Sequence, residues 1–297
     1  MSMPAVVASV GDVQITAQQV QKIMDSITAM QPIPEAQMDV VRREITYSLV
    51  QQEVFNAFMA TKNIDVSDAE MKEQQDLIAK AAAAENTSVE QFMSLRGITD
   101  QRIRTQVRLS KLIKEMTADE KVNAYIKEHP GYFDGSSLTA SHILVSCRPF
   151  ATSAQQAQAR EKLEQAVADI KAGKATFEEI AAKVSDCPSK EKGGDLGEFD
   201  FEGMLPSFSI AAFALKGDEL SPIIRTQAGF HVIKVTKRTP GTTTMPAEVA
   251  KQTAGKALMT TMENELFEFA AKKCKIEIAP EILAIKDPTP PTTQEAE

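Results

Sequence analysis

Leu138-Thr139-Ala140-Ser141-His142-Ile143-Leu144-Val145-Ser146 and, further on, Gly229-Phe230-His231-Val232-Ile233-Lys234-Val235-Thr236 are short runs rich in apolar and β-branched residues, each holding one histidine. Bounded by Gly and Pro, runs of this kind read as strands. Between them, segments at about 154–172 and 175–184 read as helices, so the stretch from Leu138 to Arg238 is a mixed module of α+β class. His129-Pro130-Gly131 marks its upstream border.

Upstream of that border the periodicity is helical almost throughout. Residues Ala5 to Ile15 alternate around Gly11-Asp12, which predicts a small hairpin. Thr16 then offers an N-cap oxygen to a helix with Val20, Ile23, Met24 and Ile27 on its apolar stripe, ended by Pro32 and Pro34. From Glu35 to Lys62 a long helix runs without Gly or Pro. Further helices follow at Ser67–Ala84, Ser88–Leu95, Thr99–Met116 and Thr117–Glu128, with Ser67, Ser88, Thr99 and Thr117 as the expected caps.

Downstream, Pro246 to Lys273 reads as one amphipathic helix with Val249, Ala257, Leu258, Met262, Leu266 and Phe269 as its apolar positions. The economical arrangement is that this helix packs back on the N-terminal helices. Residues 1–135 and 245–284 then form one helical domain, with the mixed module at 136–239 inserted into it. A Pro-, Thr- and acid-rich tail at 285–297 has little to pack and is expected to be disordered.

Bulk composition narrows the function classes. A chain of 297 residues suits two domains and a tail. A formal charge of -8 argues against nucleic acid as partner, because that binding neutralises phosphates with Lys and Arg. No run of 18 apolar residues occurs, so no membrane insertion is expected. Cys147, Cys187 and Cys274 are too few and too unevenly spaced for a disulfide framework or a four-ligand zinc site. The N-terminus lacks a charged and an apolar region of signal-peptide length, which fits a cytosolic chain or an exported one whose signal has been removed.

Five motifs share the mixed module in fixed order. They are Ala140-Ser141-His142-Ile143-Leu144-Val145, then Ser185-Asp186-Cys187-Pro188-Ser189, then Gly193-Gly194-Asp195-Leu196-Gly197-Glu198-Phe199, then Gly203-Met204 with Phe208 and Phe213-Ala214-Leu215, and Gly229-Phe230-His231-Val232-Ile233. Together they resemble the parvulin-type (PpiC or rotamase) peptidyl-prolyl isomerases. The resemblance implies a small antiparallel sheet with surrounding helices and rotation about X-Pro bonds. It also implies a proline seat at Leu196, Met204 and Phe208, and a site at His142, Cys187, Thr226 and His231. Taken singly, Met204 and Phe208 would be ordinary core residues and the histidines satisfied strand residues.

The chemistry itself is undemanding of special groups. X-Pro rotation works against a resonance barrier of roughly 18–20 kcal/mol without breaking a covalent bond, so the site must favour the twisted amide over the planar one. No cofactor is needed, and two histidines without a third ligand fall short of a metal site. His142 and His231 are read as structural and tuning groups, and Cys187 as a polar neighbour of the amide rather than a nucleophile. Ala228 stands where some relatives carry Ser, which removes a hydroxyl. The loop Ser146-Cys147-Arg148-Pro149 holds a single Arg, so no phosphate before proline is required.

The opening Val7 to Thr16 followed by a helix, and the closing Lys275-Ile276-Glu277-Ile278, resemble the bacterial SurA and PrsA chaperone isomerases. That resemblance implies a holdase for unfolded or proline-containing client polypeptides. Two other readings stay open. In one the mixed module only binds; in the other the chain is a cytosolic maturation factor of the NifM kind. Long helices with exposed apolar edges also suggest a homodimer.

Overall fold

The computed structural model describes residues 3–217 and 219–285. Beyond Ile285, the tail expected at 285–297 lies outside the described residues. In chain order the elements begin with β1 (Val6–Val10), β2 (Val13–Thr16), α1 (Ala17–Met30), α2 (Glu35–Thr61), α3 (Asp68–Ala84), α4 (Val89–Leu95), α5 (Asp100–Met116) and α6 (Asp119–Glu128). They continue with β3 (Ser137–Ser146), α7 (Ser153–Lys171), α8 (Phe177–Val184), β4 (Asp195–Asp200), α9 (Pro206–Ala214), β5 (Ile224–Arg225) and β6 (Gly229–Thr239). The chain closes with α10 (Ala247–Lys273), β7 (Ile276–Ile278) and α11 (Pro280–Leu283). Two compact units result: Met1–Ser110 with Lys273–Glu297, and Lys111–Lys272.

The first unit is discontinuous in sequence. β1 and β2 form the expected hairpin, turning at Gly11 with φ +57°, and β7 adds antiparallel to the other edge of β1, with Ala8 opposite Ile278. Val7, Ile15 and Ile276 are fully buried in this sheet region. Thr16 caps α1 in a capping box with Gln19, and Ser67 caps α3 in the same way with Glu70. Along α2 the buried apolar positions are Ile45, Val50, Val54, Phe58 and Met59. The buried Arg43 donates to the carbonyl of Ile285, which ties the end of the described chain to α2.

Thr117 does not cap α6. That helix starts after Ala118 with no side-chain cap, because the Thr117 N–H and hydroxyl both bond back to the carbonyl of Ile113 and finish α5.

In the second unit an antiparallel sheet of order β4-β3-β6-β5 carries the core. Strand alternation gives it two chemically different faces. Ile143, Val145, Phe230 and Val232 pack with Leu163 of α7 and with Phe177 and Ile180 of α8. On the other face Leu138, Ala140, Ile233 and Val235 meet an aromatic cluster of Tyr132, Phe133, Phe199, Phe201, Phe208 and Phe213. Thr152 and Thr176 start α7 and α8 with capping boxes.

The unit begins at Lys111 rather than near residue 136. Val122, Tyr125 and Ile126 of α6 insert into the aromatic cluster, so this helix packs with the sheet. α10 likewise packs here: Ala250, Ala254 and Ala257 belong to the same cluster. The expectation that this helix returns to the N-terminal helices is therefore replaced. Its small residues Ala250, Ala254 and Ala257 are buried in that cluster, and the segment that rejoins the first unit is β7.

Candidate active site

Register places the two histidines diagonally on one face of the sheet. His142 lies opposite Ile233 and Leu144 opposite His231, so residues 142 and 231 project on the same side. Their rings meet through Nδ1 atoms 3.2 Å apart. His231 Nε2 lies 2.8 Å from Thr226 Oγ1, and that oxygen accepts the N–H of Ala228 at 3.1 Å. The Phe208 ring meets both imidazoles near-perpendicularly, with centroids 5.6 Å from His142 and 5.9 Å from His231. All four side chains are buried.

Burial decides the charge of the pair. It lowers His142 to about 4. His231 is lowered to about 3, first by burial and then by the neighbouring His142 and Arg225. Both rings are therefore neutral at neutral pH, each with one N–H and one lone pair. A single proton sits between the two Nδ1 atoms, which leaves two consistent arrangements. Either Thr226 donates to His231, which donates to His142, or the chain of donors runs in reverse from His142 to Thr226. In both, His142 Nε2 has no protein partner among the described residues.

Local backbone geometry fixes this constellation. Gly194, at φ +85°, accepts the His142 N–H at its carbonyl, and a Cβ there would collide with the His142 carbonyl. The Gly193-Gly194 motif is thus a close approach of β4's entry to β3. Ser185 is buried, and its hydroxyl accepts the N–H groups of Leu144 at 3.1 Å and Cys187 at 3.3 Å. Asp186 accepts the N–H of Ser146 at 2.7 Å, and its own N–H donates to Leu144. These bonds clip the loop holding Cys187 to the end of β3, two residues beyond His142. Cys187 itself is half-buried and opens the short turn Pro188–Lys192.

Leu196 on β4 and Met204 before α9 are partly buried against the aromatic cluster that contains Phe208. The three expected seat residues thus share one apolar surface, while His142, Thr226 and His231 form one hydrogen-bonded line against it. Arg225 is a neighbour the motifs did not reveal. Its guanidinium donates to the carbonyl of Arg148 at 2.8 Å and lies over the rings of Phe230 and Phe267. An isolated Arg on a two-residue strand carries no sequence signal of such stacking. Cys147, near Arg225, is buried and its thiol is pushed up by that burial. Among the described residues no group of three His, Cys, Asp or Glu is placed to hold a metal ion.

Comparison with known proteins converges on this arrangement. Residues 142–237 match the rotamase family, described as the PPIC-type PPIASE domain. A foldase protein PrsA from Caldanaerobacter subterraneus subsp. tengcongensis is 30% identical over 259 residues, 84% of this chain and 74% of that protein. A chaperone SurA from Methylobacillus flagellatus is 23% identical over 286 residues, 91% of this chain and 64% of that one. Within the sheet module, the peptidyl-prolyl cis-trans isomerase Pin1 of Arabidopsis thaliana is 47% identical over 76 residues, 26% of this chain and 64% of that protein. The chain belongs to the PrsA family of foldases and carries a parvulin-type peptidyl-prolyl isomerase domain.

Proposed function

We propose that the second unit catalyses cis-trans isomerisation of X-Pro bonds in unfolded or partly folded polypeptides, while the first unit holds such chains. The observation that carries this reading is the buried line His142–His231–Thr226 set against Phe208. The proline ring sits on Leu196, Met204 and Phe208. An apolar seat removes water from the imide and so weakens the charge-separated planar form, while the twisted form, with less charge separation, loses less. The neutral histidines orient Thr226 and buttress Phe208. The Cys187 thiol is a polar neighbour of the rotating amide, and no covalent step is needed.

Turnover of short X-Pro peptides by the full chain tests this. Replacement of the half-exposed Met204 by Ala is expected to lower kcat/KM by about tenfold, an effect of about 1.4 kcal/mol in transition-state binding. Turnover unchanged by that substitution would count against the seat. No phosphate is needed before proline, because the β3–α7 loop brings only Arg148 as a cation and a phosphate cradle calls for several.

The holding role has support in the first unit. A groove of about 530 Å³ is lined by Ile23, Ile27, Leu49 and Leu95 with the amide side chains of Gln19 and Gln52. Apolar side chains of a client fit its floor, and the amides offer partners to an extended backbone. Suppression of aggregation of a denatured protein, followed by light scattering, measures this function apart from turnover. The same unit exposes Leu77, Val89 and Leu95, which supports a homodimer that sedimentation would reveal.

A further inference from the structure

α10 lies outside the sheet module's own sequence, yet its side chains converge on the rim of the isomerase site. Thr253 donates to Glu202, on the loop that leads to Met204, at 2.8 Å. Ser207, the residue before Phe208, donates to Asn264 at 3.1 Å. Gln227, the residue after Thr226, donates to Glu263 at 2.9 Å. Phe267 is buried, with its ring centroid 5.8 Å from that of Phe150 on the β3–α7 loop. Leu258 packs against the aromatic cluster that contains Phe208.

Two consecutive residues of α10 therefore reach two walls of the site. Asn264 holds the Phe208 wall and Glu263 holds the Thr226 wall. Those walls face each other through His231, which bonds Thr226 and meets the Phe208 ring edge-on. Between α10 and the loop at Met204 there remains a cavity of about 180 Å³, lined by Phe201, Met204, Pro206, Thr253, Lys256 and Ala257. That space is large enough for one side chain such as a proline ring, and the client residues flanking it would meet α10.

We propose that α10 is a displaceable cover: the isomerase site is closed in this conformation, and a client chain reaches Met204 and Phe208 when the segment from Thr253 to Phe267 lifts. The proposal rests on the isomerase reading of the site. The rim bonds suit such a device. The Gln227–Glu263 bond is exposed and those of Asn264 and Thr253 are partly buried, so water can replace them when the helix moves. The apolar surface of Ala254, Ala257, Met262 and Phe267, buried in this conformation, is what holds the cover shut. Client binding and cover closure then compete for one surface, which makes turnover depend on how firmly α10 is held.

The test uses the full chain and two readouts, turnover of a short X-Pro peptide and affinity for the same peptide. In the loosened variant, Glu263→Ala with Asn264→Ala, kcat/KM is expected to rise about two- to tenfold and the peptide to bind correspondingly tighter. Ser207→Cys with Asn264→Cys, oxidised to a link confirmed by mass spectrometry, is expected to lose turnover and regain it on reduction. Equal kcat/KM and equal affinity in wild type and loosened variant would overturn the cover while leaving the isomerase reading intact. Tighter peptide binding without turnover in any variant would keep the cover and remove the isomerase reading. Absence of both effects, with circular dichroism showing the loosened variant folded, overturns the proposal.

Discussion

Thr226 answers two demands with one oxygen: it accepts the Ala228 N–H and pairs with His231 Nε2. Thr226→Ser keeps both bonds, whereas Thr226→Ala leaves buried polar groups unpaired at a cost of about 1–3 kcal/mol. Denaturant midpoints and peptide turnover should both fall for the Ala variant and recover in the Ser variant. The histidines set a pH signature. Their folded pKa values, about 4 and about 3, lie below the unfolded value of roughly 6.5. Between these values the unfolded chain binds protons that the folded chain does not. The stabilisation is therefore complete above about pH 6.5 and declines as pH falls through that window toward the folded values, by up to a few kcal/mol for the pair. Imidazole proton resonances of His142 and His231 should show no titration from pH 8 to 5. For Cys187, replacement by Ser should retain most turnover, since nothing covalent is asked of it; complete loss in a folded variant would make it a nucleophile. The histidines can be singled out because each sits in a short contiguous motif, whereas Thr226 and Phe208 stand out only through the family resemblance. The sequence did not reveal Ser185 as the clip on Leu144 and Cys187, or Arg225 between Phe230 and Phe267, because those roles arise from contacts across the sheet.

Strands announced themselves more clearly than the helix that follows them. Alternate residues of β3 and β6 face two different layers, helices α7 and α8 on one side and the aromatic cluster on the other, and their runs of apolar residues are written in the sequence. In α10 the sequence reading gave weight to large residues such as Val249, which is in fact exposed. The face that packs includes Ala257, Leu258 and Met262, which the sequence marks as apolar positions, together with Ala250 and Ala254, whose small size makes their part of the stripe quiet in sequence. Enlarging one of them tests the assignment. Ala254 is fully buried, so Ala254→Leu should overpack the contact and destabilise the second unit by about 1–3 kcal/mol, seen as a lower Tm. A neutral substitution would mean that α10 packs elsewhere. α6 escaped the sequence reading for a related reason. His129-Pro130-Gly131 looks like a border, yet His129 stacks on Tyr125 and Tyr132 stacks on Phe201, which draws the helix before the turn into the same core.

At the scale of the whole molecule the proposed function divides labour between two units, each with its own surface for polypeptide. Changes at Met204 or Thr226 should therefore reduce isomerisation while leaving aggregation suppression in place. A charged residue in the groove of the first unit, such as Leu49→Asp, should reverse that pattern. The central claim, that the line of His142, His231 and Thr226 against Phe208 serves an X-Pro isomerase, meets its most direct test in one assay. It is the cis-to-trans relaxation of X-Pro peptides with apolar, acidic or phosphorylated X, measured with the full chain against an uncatalysed time of roughly tens to hundreds of seconds. Acceleration for apolar X without any need of phosphate, weakened by Met204→Ala, is the predicted result. Relaxation at the uncatalysed rate for every peptide, in wild type and in the Glu263→Ala/Asn264→Ala variant alike, would contradict it.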